Sequence, residues 1–124
     1  MANVLIADDE AHLAETLAEV LRGAGHEVRV APSGAEALSL AREFHPDLLI
    51  SDWVLGSPPN GMDLIEQMRV TRAGMRAILM TGYPSARLRT WAGADPRLAV
   101  LEKPFSLAEL RGLVARVLAV KSPA

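Results

Sequence analysis

The sequence DLLISD at residues 47–52 is a short apolar run that ends on a carboxylate. A strand buried inside a parallel sheet has this pattern, because helices cover both faces of the sheet and no polar side remains. Asp52 would then lie at the carboxyl edge of the sheet, where open α/β folds bind their ligands. Asp also begins turns and caps helices. The stretch alone therefore leaves a structural role and a site role for Asp52 equally open.

Segments on either side of residues 47–52 alternate between apolar runs and helical periodicity. The predicted strands are residues 3–7, 27–31, 47–52, 76–80 and 98–101, and the predicted helices include residues 13–21, 33–44, 64–68, 85–92 and 107–117. Two sequences of the form S-x-x-E, at residues 33–36 and 106–109, predict capping boxes at helix starts. An inner apolar stripe is predicted in the last helix at Leu107, Leu110, Val114 and Val117. The alternation indicates right-handed βαβ crossovers and an α/β fold around a parallel sheet.

The whole chain has the size and composition of one aliphatic domain. Its 124 residues are expected to form a single domain over residues 1–120, with a short tail at residues 121–124. The net charge of −2 gives no reason to expect direct nucleic-acid binding, and the lack of cysteine excludes disulfides and thiol chemistry. The amino terminus has no basic region and reaches Asp8 too soon for a signal peptide or a membrane span. We therefore expect a cytoplasmic protein without a membrane segment.

Polar side chains follow four of the five predicted strands. Asp8 and Asp9 come after the first strand, Asp52 after the third, Thr81 after the fourth and Lys103 after the fifth. Three carboxylates close together repel and need a cation, and oxygen ligands favour a hard ion such as Mg²⁺. A lysine and a hydroxyl beside that ion could hold a phosphoryl group, and aspartate can become an acyl phosphate. The pattern predicts phosphoryl transfer to an aspartate.

These residues, in this order and at these spacings, resemble the receiver domain of two-component response regulators, the CheY-like superfamily. The resemblance rests on Asp8-Asp9, Asp52, Thr81-Gly82 and Lys103-Pro104-Phe105. It implies a flavodoxin-like, doubly wound sheet of five parallel strands in the order 2-1-3-4-5, with five helices. Such domains belong to two-component systems and phosphorelays, and work as signalling modules.

The resemblance also implies the role of each acidic residue. Asp52 would accept a phosphoryl group from a histidine on a sensor histidine kinase or a histidine phosphotransfer protein. Asp9 and Asp52 would bind Mg²⁺, for which Mn²⁺ can substitute, through their side chains. Val54 would bind the ion through its backbone carbonyl, and Asp8 would bind it through water. The domain would catalyse only its own phosphorylation and dephosphorylation.

The resemblance further implies that a conformational change at Thr81 is passed on to a binding partner. Thr81 and Lys103 would contact the phosphoryl group, and the Lys103–Pro104 peptide bond is expected to be cis. Phosphorylation would pull Thr81 inward and reshape the face made by the fourth helix, fifth strand and fifth helix, where a downstream partner would dock. The switch position three residues before the lysine is Val100, where the family usually has Tyr or Phe. The usual aromatic swing cannot occur here.

Other positions also depart from the family pattern. Leu55-Gly56 replaces the common Met-Pro after the acceptor, and the loop that follows is about one residue longer than usual. The positions two past the acceptor and two past the threonine, which tune phosphoryl lifetime in the family, are Val54 and Tyr83. Neither side chain is suited to orient an attacking water, so slow autodephosphorylation is expected.

Several alternatives remain open beside this interpretation. Haloacid dehalogenase-like phosphatases also phosphorylate an aspartate, but their second Asp would stand at Val54. A flavodoxin-like electron carrier needs a phosphate-binding loop where Asp8 and Asp9 stand. An unphosphorylated pseudo-receiver that serves as an interaction module is a further possibility. Within the receiver interpretation, the chain could be a stand-alone regulator, a phosphorelay shuttle or the receiver of a hybrid histidine kinase.

Overall fold

The computed structural model describes residues 1–56 and 58–120. Strands and helices alternate along the chain as β1 (Asn3–Ala7), α1 (Ala11–Gly23), β2 (Glu27–Ala31), α2 (Gly34–Phe44), β3 (Leu48–Asp52), α3 (Gly61–Thr71), β4 (Arg76–Thr81), α4 (Ala86–Gly93), β5 (Leu98–Glu102) and α5 (Leu107–Ala119). The predicted tail at residues 121–124 lies outside the described residues. Among the described helices, none has the length and apolar character needed to cross a membrane.

The five strands form one parallel sheet in the order β2-β1-β3-β4-β5. The predicted flavodoxin-like order is therefore confirmed. Ala7 of β1 pairs in register with Ser51, and Asp52 pairs with Met80. Because the strands end at nearly the same level, the residues that follow them share one rim. We call this end of the sheet the carboxyl edge.

Two hydrophobic clusters form the core, one on each face of the sheet. Val4 and Ile6 point to the side covered by α1 and α5, whereas Leu5 points to the side covered by α2, α3 and α4. Residues 48–50 of β3 are completely buried. Removing a Leu or Ile side chain of this kind from water contributes roughly 1.5–3 kcal/mol. Burial on both faces explains why β3 has a continuous apolar sequence instead of an alternating one.

The helix starts agree only in part with the predicted capping boxes. Ser106 and Glu109 form both bonds of the box. Ser33 Oγ accepts a hydrogen bond from the Glu36 N–H at 3.2 Å. Among the described contacts, the Glu36 side chain accepts no hydrogen bond from the Ser33 N–H. The Glu36 side chain is exposed, so water can replace that bond without the loss of side-chain entropy.

The predicted stripe of α5 begins one turn later than expected. Leu110, Val114 and Val117 are buried, but Leu107 is 40% exposed. Side chains of a helix lean toward its amino terminus. Because Leu107 is the first residue of α5, its side chain projects beyond the layer that packs on the sheet. The prediction that Leu107 belongs to the core was wrong.

Candidate functional site

Three carboxylates meet at the carboxyl edge. Asp8, Asp9 and Asp52 each place one carboxylate oxygen so that all three oxygens lie within 4.8 Å of one another. Asp8 follows β1 directly and Asp52 ends β3, and these two strands are paired neighbours. The sheet therefore brings together residues that are far apart in sequence. This oxygen-only set suits a hard divalent cation.

The Asp8 side chain is buried with one oxygen left unsatisfied. Its Oδ1 accepts a hydrogen bond from the Glu10 N–H at 2.9 Å, whereas its Oδ2 has no hydrogen-bond partner among the described residues. Burial raises the pKa of Asp8, and the negative charges of Asp52 and Asp9 act in the same direction. The Glu10 N–H and the Lys103 ammonium oppose this rise. A buried carboxylate oxygen without a partner is costly, so the Asp8 environment fits a positive ligand from outside the chain.

Lys103 reaches the acceptor candidate across one strand. Its Nζ lies 3.3 Å from Asp52 Oδ1, and the Lys103 and Asp52 side chains are 30% and 19% exposed. The Lys103 N–H donates to the Thr81 carbonyl at 2.8 Å, which fixes the backbone beside β4. The peptide bond between Lys103 and Pro104 is cis. This contact places a cation beside the carboxylate cluster.

Thr81 ends β4 at the same edge and is buried. Its Oγ1 accepts a hydrogen bond from the Tyr83 N–H at 3.2 Å. A hydroxyl can donate one hydrogen bond while it accepts another. The Thr81 hydroxyl proton is thus available to a ligand at the rim.

Val100 and Val54 contribute no polar side-chain group to this cluster. Val100 is in the middle of β5, opposite Leu79, and packs against the core cluster on the α4 side. The Val54 side chain is 62% exposed in the loop between β3 and α3. That the Val54 backbone carbonyl binds the metal stays a prediction.

Two features near Asp52 had not been identified in the sequence. Asn60 and Asp63 form a capping box at the start of α3. At Gly61, a Cβ atom would lie 2.6 Å from the Asp52 carbonyl oxygen and 2.6 Å from Leu79 Cδ2. Real Cβ atoms do not approach so closely, so only glycine lets α3 start against β3 here. The Asn60-Gly61 pair was the available signal, but by itself it indicated only a turn.

Comparison with known proteins agrees with the fold. The model of the response regulator receiver domain matches residues 4–115. A response regulator receiver protein of Anaeromyxobacter sp. (strain Fw109-5) is 36% identical over 113 residues, which cover 91% of this chain and 47% of that protein. Sporulation initiation phosphotransferase F of Bacillus subtilis is 29% identical over 119 residues, which cover 96% of this chain and 95% of that protein.

The structural comparison gives the same result. The non-phosphorylated HemR receiver domain of Leptospira biflexa superimposes with a TM-score of 0.88 and 27% identity, covering 100% of this chain and 99% of that domain. The chain spans about half the length of the Anaeromyxobacter relative. With a family model that matches most of its length and a sheet of the same order, the chain belongs to the response regulator receiver domain family.

Proposed function

We propose that the chain is a phosphoryl-accepting receiver, in which Asp52 takes a phosphoryl group from a phosphohistidine donor. The donor would be a sensor histidine kinase or a histidine phosphotransfer protein. The observation that carries this proposal is the contact of 3.3 Å between Lys103 Nζ and Asp52 Oδ1 beside two further carboxylates. Membership in the receiver family supports it.

Mg²⁺ is the proposed cofactor, and Mn²⁺ can substitute. Asp9 and Asp52 would hold the ion through their side chains, Val54 through its carbonyl and Asp8 through water. Asp8 Oδ2 supports this assignment because it is a buried acceptor to which none of the described residues donates a hydrogen bond. When bound, the cation neutralises the charge that gathers between the carboxylates and the phosphoryl oxygens.

The chain's own residues account for the rest of the proposed transfer. A carboxylate oxygen of Asp52 attacks the phosphorus as the P–N bond of phosphohistidine breaks. The electron pair of that bond stays on the imidazole nitrogen, and the product is an acyl phosphate. Lys103 pairs first with the acceptor carboxylate and then with the phosphoryl oxygens. Thr81 donates its hydroxyl proton to one of those oxygens, since its Oγ1 already accepts from Tyr83.

The proposed output is a change of shape at the face formed by α4, β5 and α5. The new negative charge biases a two-state element, and Thr81 would move toward the phosphoryl group. Val100 is half-buried and has no ring to swing, so the movement of its side chain is smaller than in the family pattern. A downstream protein would bind this face, and the receiver itself would not bind nucleic acid.

The biological setting also belongs to the proposal. The chain would act in the cytoplasm as a stand-alone regulator, as a phosphorelay shuttle or as the receiver of a hybrid histidine kinase. It would catalyse its own phosphorylation and a slow dephosphorylation. Val54 and Tyr83 are 62% and 93% exposed, and neither carries a carboxylate or an amide suited to orient an attacking water. A phosphoryl half-life of seconds, with Mg²⁺ and without a partner, would contradict this slow loss.

Intact-mass measurement after incubation with acetyl phosphate and Mg²⁺ tests the acceptor. We expect the wild type to gain one phosphoryl group, and we expect no gain in Asp52→Asn or without Mg²⁺. Asp47→Asn is the matched control, because Asp47 lies at the opposite end of the sheet and its substitution should leave the gain intact. A wild type that gains nothing from acetyl phosphate or from a histidine-phosphorylated donor would overturn the proposal.

A further inference from the structure

Gly56, in the loop between β3 and α3, lies against the acidic cluster. Its φ angle is +80°, and a Cβ atom at this position would lie 3.2 Å from Asp9 Oδ2. Asp9 is one of the three carboxylates at the carboxyl edge. The loop after the acceptor strand therefore folds back onto a carboxylate that follows a different strand.

Two separate physical reasons favour glycine at this position. A positive φ strains any residue that has a Cβ atom, and glycine adopts it freely. A Cβ atom at 3.2 Å would also be tighter than an ordinary contact, and its neighbour is a carboxylate oxygen. Proline is excluded because its ring holds φ near −65°. The Met-Pro pair common in the family could not make this turn, so the arrangement follows from the Leu55-Gly56 pair of this chain.

Described residues on either side of Gly56 are packed against the rest of the fold. Leu55 is buried in the core cluster beneath α3. Farther along the loop, Pro59 packs so closely on Gly34, the first residue of α2, that a Cβ on Gly34 would lie 2.8 Å from Pro59 Cγ. Gly61 then lies against the Asp52 carbonyl. A side chain at position 56 would consequently displace the exposed Asp9 carboxylate more easily than the anchored loop.

We propose that Gly56 is a positioning residue for the metal site, because its left-handed backbone and missing side chain leave Asp9 free to take its place beside Asp8 and Asp52. This inference rests on the proposed function, in which Asp9 binds Mg²⁺. It assigns to the loop a direct effect on metal affinity that does not pass through Asp52. Partners that alter this loop would change Mg²⁺ binding through Asp9.

Three glycine variants separate backbone strain from contact with Asp9. Gly56→Ala introduces both effects, and Gly56→Asn keeps the contact but tolerates positive φ better. Gly25→Ala is the matched control, since Gly25 has a φ of +97° and no atom within 4 Å of its Cβ position. Mg²⁺ affinity is measured from the fluorescence of Trp53, next to Asp52, in a Trp91→Phe background. Urea unfolding without Mg²⁺ measures the stability of each variant.

We expect both Gly56 variants to bind Mg²⁺ roughly tenfold more weakly, as is usual when a residue that orients a metal ligand is altered. Gly25→Ala should lose stability and keep wild-type affinity. Unchanged affinity in Gly56→Ala, or an equal loss in Gly25→Ala, would overturn the inference while the proposed function stands. If Gly56→Asn binds Mg²⁺ as tightly as the wild type, the weaker binding of Gly56→Ala comes from backbone strain, and the proposed effect of the contact with Asp9 is overturned. A wild type that does not bind Mg²⁺ would instead contradict the proposed function.

Discussion

The carboxylates at the two ends of the sheet differ in how completely the chain pairs them. At the amino end, Asp95 Oδ2 lies 3.0 Å from Arg69 Nη1 and 3.1 Å from Arg97 Nη2. At the carboxyl edge, Asp8 Oδ2 is buried and has no hydrogen-bond partner in the part of the chain that the structure describes. Asp95 at the amino end is thus paired with two arginines of the chain itself, whereas among the described residues only Lys103 places a cation within 4.0 Å of the three carboxylates at the carboxyl edge.

The pKa values of the two residues move in opposite directions. Burial would raise the pKa of Asp95, but hydrogen bonds from Arg97 and Arg69 outweigh it and lower the value to about 2. Burial raises the pKa of Asp8, and the neighbouring carboxylates raise it further. A paired carboxylate stabilises the fold, and an incompletely paired one is suited to a ligand. This difference distinguishes a carboxylate that the chain pairs itself from one that is suited to a ligand.

The largest expected effect on stability comes from removing the ion pairs of Asp95 at the amino end of the sheet. Asp95→Asn should lower the free energy of unfolding by about 2 kcal/mol at pH 7, because it leaves two half-buried guanidinium groups poorly paired. The folded-state pKa of Asp95 lies below the ordinary value of 3.8, so its contribution is present above that value and is lost as the pH falls toward 2. Urea unfolding at several pH values checks both points. Glu43→Gln, an exposed control on α2, should change little, and an equal loss there would contradict the assignment to the arginine pairs.

Bound Mg²⁺ should supply the positive charge that the carboxylates at the carboxyl edge need, as the arginines do for Asp95 at the amino end. At ten times its dissociation constant, Mg²⁺ should raise the free energy of unfolding by about 1.4 kcal/mol. Thermal unfolding with Mg²⁺ and with EDTA measures this gain. Asp8→Asn should remove most of it. An undiminished gain in Asp8→Asn would show that Asp8 takes no part in binding.

Without metal, Asp8→Asn should stabilise the fold by about 1 kcal/mol, because it removes a buried charge that is only partly compensated. The pKa of Asp8 is raised in the folded state. The metal-free wild type should therefore gain stability from Asp8 as the pH falls through that raised pKa toward the unfolded value. Urea unfolding in EDTA between pH 8 and pH 4 tests the sign. A loss of stability in Asp8→Asn at pH 8 would contradict it.

Lys103 supplies the only side-chain cation within 4.0 Å of these carboxylates in the described part of the chain. Lys103→Gln should cost less than about 1 kcal/mol without metal, because the pair is partly exposed. In an Asp8→Asn background the cost should be smaller, since one of the repelling charges is gone. A double-mutant cycle from urea unfolding measures this coupling. Equal costs in both backgrounds would show that Lys103 does not offset Asp8.

The smallest effect is expected at an exposed ion pair of the carboxyl edge. Arg89 Nη2 lies 3.8 Å from Glu102 Oε1, with the side chains 66% and 61% exposed. Glu102→Gln should change the free energy of unfolding by less than about 0.5 kcal/mol. Urea unfolding at low and high salt checks this value. A larger, salt-dependent loss would show that exposed pairs also stabilise this edge.

The main features of the sheet and its rim could be predicted because they follow local rules. Apolar runs such as residues 48–50 identify strands covered on both faces. Parallel pairing then places the residues after β1, β3, β4 and β5 at one edge, whatever lies between them in sequence. That is why Asp8, Asp52 and Lys103 could be assigned to one cluster before their distances were known.

Other features depend on distances that the sequence pattern does not contain. Arg69 and Asp95 are 26 residues apart, and only the folded chain brings them together. Helical periodicity gave the inner face of α5 but not the end of the packed layer, so Leu107 was misassigned. Glycine at position 56 is compatible with many backbone conformations. Its positive φ and its approach to Asp9 appear only in three dimensions.

Arg76, at the start of β4, holds the end of α5 far from the carboxyl edge. Arg76 donates from Nε to the Val117 carbonyl at 3.1 Å and from Nη2 to the Val120 carbonyl, so the last turn of α5 is held at the amino end of the sheet. Five residue steps along β4 separate Arg76 from Thr81, a span of roughly 17 Å at about 3.3 Å per residue. For the proposed change of charge at Asp52 to move the end of α5, it would therefore have to displace the packed residues of β4 that lie between them.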